Sequence, residues 1–396
     1  MKNTVIICLL LICSGCSQDL KNTKKVADVY TSGKHEIVVC DRSLLKDTVI
    51  LPLSYFTEEM QMVKLENSEH ALVSTNSVII GEKYILVKGS GNNPYKLFTR
   101  EGRFITRIGS YGKGPGEYRT TNDEIMDEKN NRIYIFPWGT QTILVYDLTG
   151  KILDPIRLPM NVSKGKLFVD PSGTMISVIA IPWMGSPYVA WTQKMSGEII
   201  SSIAPGHLAI DPRDASGAFT GYNNDVMTSK NTSSMDVYLF AYESRQDTLY
   251  HYDTATNQLI PRFTMNFESP KIPIHSYVEL PDHYLGNLAE LKIINDHLTD
   301  TQNNTFFFVE KSTLKGSFFK LKNDYFGDLE IGGPSYAFSN GYYVRNYDPG
   351  DLLEDLEKVL SGKNITEIMR QKLTQLRDTV SEGDNNYIFY AKLKKS

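Results

Sequence analysis

The chain has 396 residues, of which 41% are hydrophobic and 22% charged, and it contains 23 tyrosines, 17 phenylalanines and 3 tryptophans. This composition excludes intrinsically disordered and low-complexity proteins, which lack the apolar and aromatic residues of a packed core. The formal net charge is −4, and no block of basic residues occurs, so we do not expect a nucleic-acid-binding protein. Length alone would suggest two or three domains.

The N-terminus has the features of an export signal. Lys2 precedes an apolar run over residues 5–12, which is too short to span a membrane. Ser14 and Gly15 stand directly before Cys16, and this arrangement resembles a bacterial lipobox, in which the cysteine is diacylated and becomes the mature N-terminus. We therefore expect residues 1–15 to be a signal peptide and Cys16 to anchor an exported protein to the outer membrane, facing the periplasm or the cell surface. A secreted protein without a lipid anchor is the alternative, because Cys13 occupies a position where leucine is usual.

Two further regions follow the expected anchor. Residues 16–35 are polar and lack periodicity, which is typical of a flexible tether. Residues 36–396 are expected to form a single domain. After cleavage Cys40 is the one unmodified thiol, so no intrachain disulfide can form and stability must come from core burial.

Beyond the tether the local pattern indicates strands. Short β-branched and aromatic runs are bounded by glycine, asparagine, aspartate or proline, as at residues 84–87, 133–136, 143–146 and 387–390. Such runs favour β-structure over helices. The fold class predicted from these runs is all-β.

An internal repeat narrows the architecture. Residues 97–105 align without gaps on residues 145–153, which places the turn glycines Gly102 and Gly150 48 positions apart. Three later copies carry Gly197, Asn257 and, in the weakest copy, Gly316 at the turn. Repeats of about 40 to 50 residues in an all-β chain indicate propeller blades, and glycine and asparagine tolerate the positive φ of a tight hairpin.

The repeats predict a six-bladed β-propeller of four-stranded antiparallel blades, with seven blades as the alternative. Five units have recognisable turns, and the strand-like segments at residues 48–65 and 387–393 would pair to complete a sixth, leaving few free edges. A helical insertion is predicted at about residues 350–380 because leucines there share one face. A brief helical segment is also predicted around residues 285–291.

A glycine-rich loop links the chain to a known family. Residues 108–118 read IGSYGKGPGEY, directly after the last strand of the first repeat. This loop resembles the signature loop of the six-bladed β-propeller lipoproteins of Bacteroidetes, and residues 53–54, 62–66 and 384–386 are similar to other parts of that pattern. The resemblance covers roughly residues 48–396. It implies export, an acyl anchor and a propeller, but no common activity.

The sequence offers no convincing catalytic or cofactor site. The glycine-rich loop lacks the P-loop context, since a glycine follows Lys113 and the next element is a strand. Its polar members Lys113, Glu117 and Arg119 are candidates to line one face of the disc. The seven histidines show no metal-binding spacing, so we expect no metal or other cofactor, although a channel site built from one acid per blade stays open. The adjacent carboxylates Asp123 and Glu124 are interpreted as solvated loop charges.

Loop aromatics are the better candidates for ligand binding. Trp138, Trp183 and Tyr188 lie in segments rich in proline and glycine, and exposed aromatic faces stack on sugars and peptide side chains. The alternative is that they pack between blades. The long segment 207–236, with Arg213 and Tyr222, is the first choice for a binding element because loops of this size are often functional.

Three functional hypotheses remain at this point. The first is a monomeric, membrane-tethered binding module without enzymatic activity, whose partner is a glycan, a peptide or an envelope protein. The second is a metal-dependent hydrolase or lyase with its site at the central channel. The third is a scaffold within a nutrient-uptake assembly.

Overall fold

A computed structural model describes residues 23–395 except 90, 214–222, 242–246, 269–271, 296–297, 333–336 and 364, and it describes only the backbone of residues 32, 291–295 and 298–300. Strands make up most of this part of the chain. Within these residues no helix is both long and apolar enough to cross a membrane.

Five strands precede the first blade. They are β1 (Lys24–Lys25), β2 (Ala27–Ser32), β3 (His35–Asp41), β4 (Thr48–Pro52) and β5 (Thr57–Lys64). Each of them joins a sheet that also contains strands from much later in the chain.

Five blades then follow, each made of four strands that are consecutive in the chain and antiparallel. Blade I comprises β6 (Val78–Ile80), β7 (Tyr84–Val87), β8 (Tyr95–Thr99) and β9 (Phe104–Ile108). A short parallel pair, β10 (Ser110–Tyr111) and β11 (Glu117–Tyr118), then encloses the glycine-rich loop. Blade II comprises β12 (Thr121–Asp127), β13 (Arg132–Pro137), β14 (Thr140–Tyr146) and β15 (Ile156–Val162). Blade III comprises β16 (Gly165–Val169), β17 (Met175–Ala180), β18 (Ala190–Lys194) and β19 (Ile199–Ile203).

The last two of these blades carry additional strands. Blade IV comprises β20 (Asp225–Met227), β21 (Asp236–Phe240), β22 (Thr248–Asp253) and β23 (Gln258–Asn266), and blade V comprises β24 (Ile274–Glu279), β25 (His283–Asn295), β26 (Leu298–Glu310) and β27 (Lys315–Asn323). The hairpin β2–β3 extends blade IV, because β3 pairs in parallel with β23. Strands β1, β4 and β28 (Leu329–Ile331) pair with β27.

The two chain ends build one further sheet, here called the terminal sheet. It contains β29 (Phe338–Ser339), β30 (Tyr342–Tyr347), β31 (Tyr387–Leu393) and the early strand β5. Strand β5 pairs antiparallel with β31, with Lys64 opposite Tyr387. Two helices, α1 (Pro349–Leu360) and α2 (Glu367–Thr379), lie between β30 and β31.

The propeller with four-stranded antiparallel blades and the helical insertion are therefore confirmed. The count of six blades was wrong: the structure has five blades, each of four consecutive strands, and the predicted pairing of the two chain ends occurs in the terminal sheet. The tether prediction also needs correction at its C-terminal part. Residues 24–35 lie almost entirely in β1, β2 and the start of β3. Strand β1 pairs with β27 of blade V, and β2 pairs with β3, whose later residues pair with blade IV.

The hairpin turns follow the predicted chemistry with one exception. Gly102, Gly150, Gly197 and Asn257 all have positive φ, between 53° and 96°. In blade V the turn lies before Gly316, and Leu314 takes the positive φ of 58° instead. Gly316 is inside β27, where a Cβ would collide with the backbone of Phe308.

The predicted helical segment at residues 285–291 is a strand. It lies within β25, which pairs with β24 on one side and β26 on the other. Short apolar runs give no clear period, so the sequence cannot separate a buried strand from a helix there.

The helical insertion covers one side of the terminal sheet and of blade V. Asp348 caps α1 by accepting a hydrogen bond from the Gly350 backbone N–H at 2.9 Å, which satisfies one of the free donors of the first turn. Leu352, Leu356 and Val359 of α1 belong to the same buried cluster as Leu373 of α2. The insertion is thus held by an amphipathic face, as the leucine spacing predicts.

Candidate functional site

A cavity of about 540 Å³ lies where the first strands of the sheets meet. Its lining includes residues of β6, β12, β16, β20, β24 and β29, which are the first strands of the five blades and of the terminal sheet. Each is an edge strand, so its backbone N–H and C=O groups on the cavity side lack a neighbouring strand. The volume falls within the range typical of small-ligand sites.

One end of the cavity is crossed by a loop, and we call residues 228–231 of this loop the floor. The Asn340 backbone N–H donates to the Ser229 carbonyl at 2.8 Å. The Asn231 amide donates to the carbonyls of Glu279 at 3.0 Å and Phe338 at 3.2 Å. The floor therefore bridges blade IV, blade V and the terminal sheet at the ends where their first strands finish.

Asp236 of β21 holds the floor in place. Its carboxylate accepts hydrogen bonds from the Ser229 backbone N–H at 2.6 Å, the Ser229 hydroxyl at 2.8 Å, the Lys230 backbone N–H at 2.9 Å and the Thr228 hydroxyl at 2.9 Å. Asp236 is only 2% exposed. Lys230 has a φ of 52°, a conformation that a non-glycine residue keeps only when its surroundings fix it.

Lys230 connects the floor to blade II. Its Nζ lies 2.7 Å from Oδ2 of Asp123, which also accepts a hydrogen bond from the Leu167 backbone N–H of blade III at 2.8 Å. Burial opposes ionisation of Asp123, but the charges of Lys230 and Lys166 outweigh it and hold the pKa of the carboxyl below its usual value. The interpretation of Asp123 as a solvated loop charge was wrong, since it is 8% exposed.

A second group of polar residues, near the starts of β6, β12 and β16, is called the mouth. Here Nζ of Lys88 lies 3.4 Å from Oε2 of Glu124, which also accepts a hydrogen bond from the Tyr95 hydroxyl at 2.6 Å. Burial and the Glu124 charge raise the pKa of Tyr95 well above its usual value, so the phenol stays a donor. The Lys166 ammonium donates to the Asn122 carbonyl at 2.9 Å, and no described carboxylate lies within 4 Å of it.

Blade V supplies a neutral polar wall to the cavity. Asn287, Thr301 and Asn304, from the long hairpin β25–β26, are among the lining residues. The Asn287 amide nitrogen lies 3.4 Å from Oδ1 of Asn304. Oδ1 of Asn287 is buried, and no donor in the described part of the chain reaches it.

The candidate residues of the glycine-rich loop lie outside the cavity lining. Glu117 accepts a hydrogen bond from the Gly114 backbone N–H at 2.8 Å and so closes its own loop. The Arg119 guanidinium lies 5.6 Å from the centre of the Tyr111 ring. Lys113 is exposed, and these residues form a surface feature between blades I and II.

The aromatic candidates are also separate from the cavity lining. Trp183 donates from Nε1 to the Ser163 hydroxyl at 2.8 Å and packs against the core between blades III and IV. Tyr188 lies 6.1 Å from the Trp191 ring and packs against the core between blades II and III. Trp138 is 45% exposed in the β13–β14 turn. The packing alternative therefore describes Trp183 and Tyr188, whereas Trp138 presents its ring to solvent.

Two candidates lie outside the described residues, namely Cys16 and Tyr222. Arg213 is exposed and its backbone N–H donates to Asp211 at 3.0 Å. Within the segment 207–236, the cavity lining comes from residues 223 and 225–230. Sequence reasoning missed Lys88, Lys166, Lys230 and Asn287, and no motif marks them, because their role comes from the convergence of separate strands.

Comparison with known proteins agrees with the fold. The model of the family described as a domain of unknown function, DUF4934, matches residues 36–392. No curated protein matches the chain. A solved structure of a Bacteroides fragilis protein that its name describes as exported is 17% identical, with a TM-score of 0.57 over 89% of this chain and 99% of its own.

Two other solved structures are less similar. A member of the DUF4221 family from Bacteroides vulgatus is 12% identical, with a TM-score of 0.44 over 85% of this chain and 97% of its own. Hydrazine synthase of Kuenenia stuttgartiensis is 12% identical, with a TM-score of 0.41 over 83% of this chain and 88% of its own. At such identities a structural likeness concerns the fold and not the activity.

Proposed function

The chain belongs to the DUF4934 family, a domain of unknown function, and we propose that it is an exported propeller that binds a small polar ligand in its central cavity. The observation that carries this proposal is the cavity itself. It is lined by strands of all five blades and of the terminal sheet, and it combines lysines, carboxylates, amides and hydroxyls. Ligand sites typically place a few polar groups in such a concave, largely preformed space.

The terminal sheet is part of this proposal because it completes the wall of the cavity beside the five blades. Its first strand β29 contributes Phe338 and Ser339 to the same cavity as the first strands of blades I to V. Pairing of β5 with β31 then joins the two chain ends. Closure by both ends suits a binding site at the centre, since it fixes all walls together.

Export and anchoring through Cys16 complete the proposal. The N-terminal pattern and the exported relative from Bacteroides fragilis support export, and the lipobox-like residues support acylation. Metabolic labelling with palmitate tests the anchor. The wild-type protein should be labelled, and a Cys16→Ala variant should not. Label retained by the variant would refute acylation at this residue.

The binding proposal is tested by comparing a cavity variant with a surface variant. Thermal shift measurements against a panel of small sugars, amino acids, peptides and organic acids should identify a stabilising compound. Asn287→Trp places a large ring on the cavity wall and should weaken that binding at least tenfold, while circular dichroism checks the fold. Trp138→Ala, at an exposed turn, should leave binding unchanged. Loss of binding in Trp138→Ala alone would move the site to the aromatic surface.

The metal-dependent hydrolase or lyase has less support from the geometry. Among the described residues, no group of three histidine, cysteine, aspartate or glutamate side chains is placed to hold a metal ion. Asp123 and Glu124 are each already engaged by a lysine and by further donors. Their arrangement supports a role in shaping the cavity.

A further inference from the structure

The outer edge of blade V carries an exposed surface that combines apolar and basic side chains. Five residues form this surface, which we call the outer patch: Lys24, Leu44, Lys46, Ile50 and Lys320. The first four line one depression, and Lys320 is the strand partner of Ile50. Leu44 is 48% exposed and Ile50 is 50% exposed. Two large apolar side chains therefore face solvent beside three lysines.

Strand pairing places three members of the outer patch on one face of the sheet. Ile50 of β4 pairs with Lys320 of β27, and Lys24 of β1 pairs with Gly316 of the same strand. Side chains alternate between the two faces of a strand, so positions 316 and 320 belong to the same face. The intervening Phe319 is buried in the core on the opposite face. Lys24, Ile50 and Lys320 are thus fixed side by side by the backbone of blade V.

The outer patch is positively charged, although the chain as a whole has a formal net charge of −4. Lys24, Lys46 and Lys320 are all exposed, and no described carboxylate lies within 4 Å of their ammonium groups. Asp47 is the acidic residue in the described lining of the depression. This excess of lysines is complementary to the head groups of anionic phospholipids.

The proposed acyl anchor holds the outer patch close to a membrane. Cys16 is seven positions before Thr23, and Thr23 lines the same depression as the patch. Even a fully extended chain of that length spans only about 25 Å. Acylation at Cys16 therefore brings the outer edge of blade V to the lipid surface.

From this position, exposure and charge we infer that the outer patch docks on an anionic phospholipid bilayer. Leu44 and Ile50 enter the interface, and the lysines contact the head groups. Apolar side chains flanked by lysines are typical of surfaces that lie on a membrane. This inference rests on the proposed anchor, since the acyl chains supply the stable attachment and the patch sets the orientation of the propeller.

Tryptophan quenching in vesicles tests the contact. The acylated full-length protein is incorporated into vesicles of phosphatidylcholine and phosphatidylglycerol, with or without brominated lipids, which quench tryptophan emission on contact. In an Ile50→Trp variant, brominated lipid should lower the emission of the added tryptophan roughly twofold. Ile200→Trp is the matched control, because Ile200 is 51% exposed on β19, the outer strand of blade III, and its emission should not change.

Lysine variants test the role of charge in the same vesicles. Replacing both Lys24 and Lys46 with glutamine in the Ile50→Trp protein should shift the equilibrium between docked and undocked protein about tenfold towards the undocked form. Added salt should act in the same direction. Replacing Lys113 and Lys194, which are exposed outside the patch, removes the same charge and should leave the quenching unchanged. Equal effects of the two double replacements would overturn the inference.

Palmitate labelling of the same preparations separates the inference from the proposed function. Labelled protein with equal quenching in Ile50→Trp and Ile200→Trp overturns the inference and leaves the anchor intact. Protein without label refutes the anchor, and the inference fails with it. A blue shift of the Ile50→Trp emission in native envelopes but not in lipid vesicles would identify a protein occupant and also overturn the inference. Ligand binding in the central cavity is measured independently of these outcomes.

Discussion

The floor and the mouth of the cavity contain the same residue types but differ in how completely these residues are hydrogen-bonded. At the floor, Asp236 accepts four hydrogen bonds and Lys230 meets Asp123 at 2.7 Å. At the mouth, Lys166 makes a single hydrogen bond to a carbonyl and Lys88 a long contact to Glu124. Buried charges are stable only when they are paired and hydrogen-bonded. The floor residues therefore have a structural role, whereas the mouth residues are available to a ligand.

This contrast teaches that polarity alone does not identify a binding site. Lys230 and Lys166 lower the pKa of Asp123 against the opposing effect of burial, and perturbed groups often mark functional sites. Here its perturbation comes from partners that are all within the protein. The unused hydrogen-bonding capacity of Lys166 is the better guide, and stability measurements can separate residues that hold the floor together from residues that are available to a ligand.

The largest effect is expected at Asp236. Replacing it with alanine leaves the Ser229 and Lys230 backbone donors without an acceptor at a buried position and should cost about 4 kcal/mol in the free energy of unfolding. Urea denaturation measures this loss. Asp225→Ala is the matched control at the mouth, where the carboxylate is exposed, and should cost about 0.5 kcal/mol or less. Equal losses would contradict the distinction between floor and mouth.

A somewhat smaller loss is expected when the pair between Lys230 and Asp123 is broken. Asp123→Ala leaves the Lys230 ammonium without its partner in a site that is 17% exposed at the lysine side chain, and should cost about 3 kcal/mol. Replacing both residues with apolar ones of similar size, as in Asp123→Leu with Lys230→Met, should cost less than the single change. A double variant that is less stable than Asp123→Ala would show that the pair itself stabilises the floor.

The pH dependence on the floor side should come from His283. This side chain packs against Tyr55 and Phe308, and burial lowers its pKa from 6.5 to about 4, although Glu310 and Asp282 act in the opposite direction. As the pH falls below 6.5, the unfolded chain takes up a proton before the folded one does. Folding should therefore lose about 2 to 3 kcal/mol between pH 6.5 and pH 4.

Denaturation curves over this pH range test the assignment to His283. A His283→Phe variant should show a shallower loss of stability from pH 6.5 to pH 4, whatever its stability at neutral pH. His70→Gln, at an exposed position, should keep the slope of the natural chain. An unchanged slope in His283→Phe would place the sensitivity elsewhere.

The smallest effect is expected at the mouth lysines. Lys88→Gln removes a contact of 3.4 Å from a side chain that is 26% exposed, so the free energy of unfolding should change by less than about 0.5 kcal/mol. Chemical denaturation at neutral pH measures this. A loss near that of Asp123→Ala would show that Lys88 has a structural role.

The predictions that succeeded rest on local chemistry. Gly102, Gly150, Gly197 and Asn257 mark real hairpins because tight turns need residues that adopt positive φ. The insertion was predictable because Leu352 and Leu356 recur at helical spacing on one buried face. The failures concern long-range pairing. Residues 24–35 resemble a tether, but β1 pairs with blade V and β2 belongs to a hairpin that extends blade IV. Residues 285–291 have strand partners on both sides.

The amino-acid sequence by itself determined the all-β propeller architecture, the hairpin turns and the helical insertion, since each depends on neighbours a few residues apart. Only the tertiary structure decided which polar residues meet at the centre. Lys230 and Asp123 are 107 positions apart in the chain, and Lys166 and Asn287 lie on different blades. The physical reason is that strand pairing and blade packing fix these positions through contacts between distant residues, and such contacts leave no local pattern in the sequence.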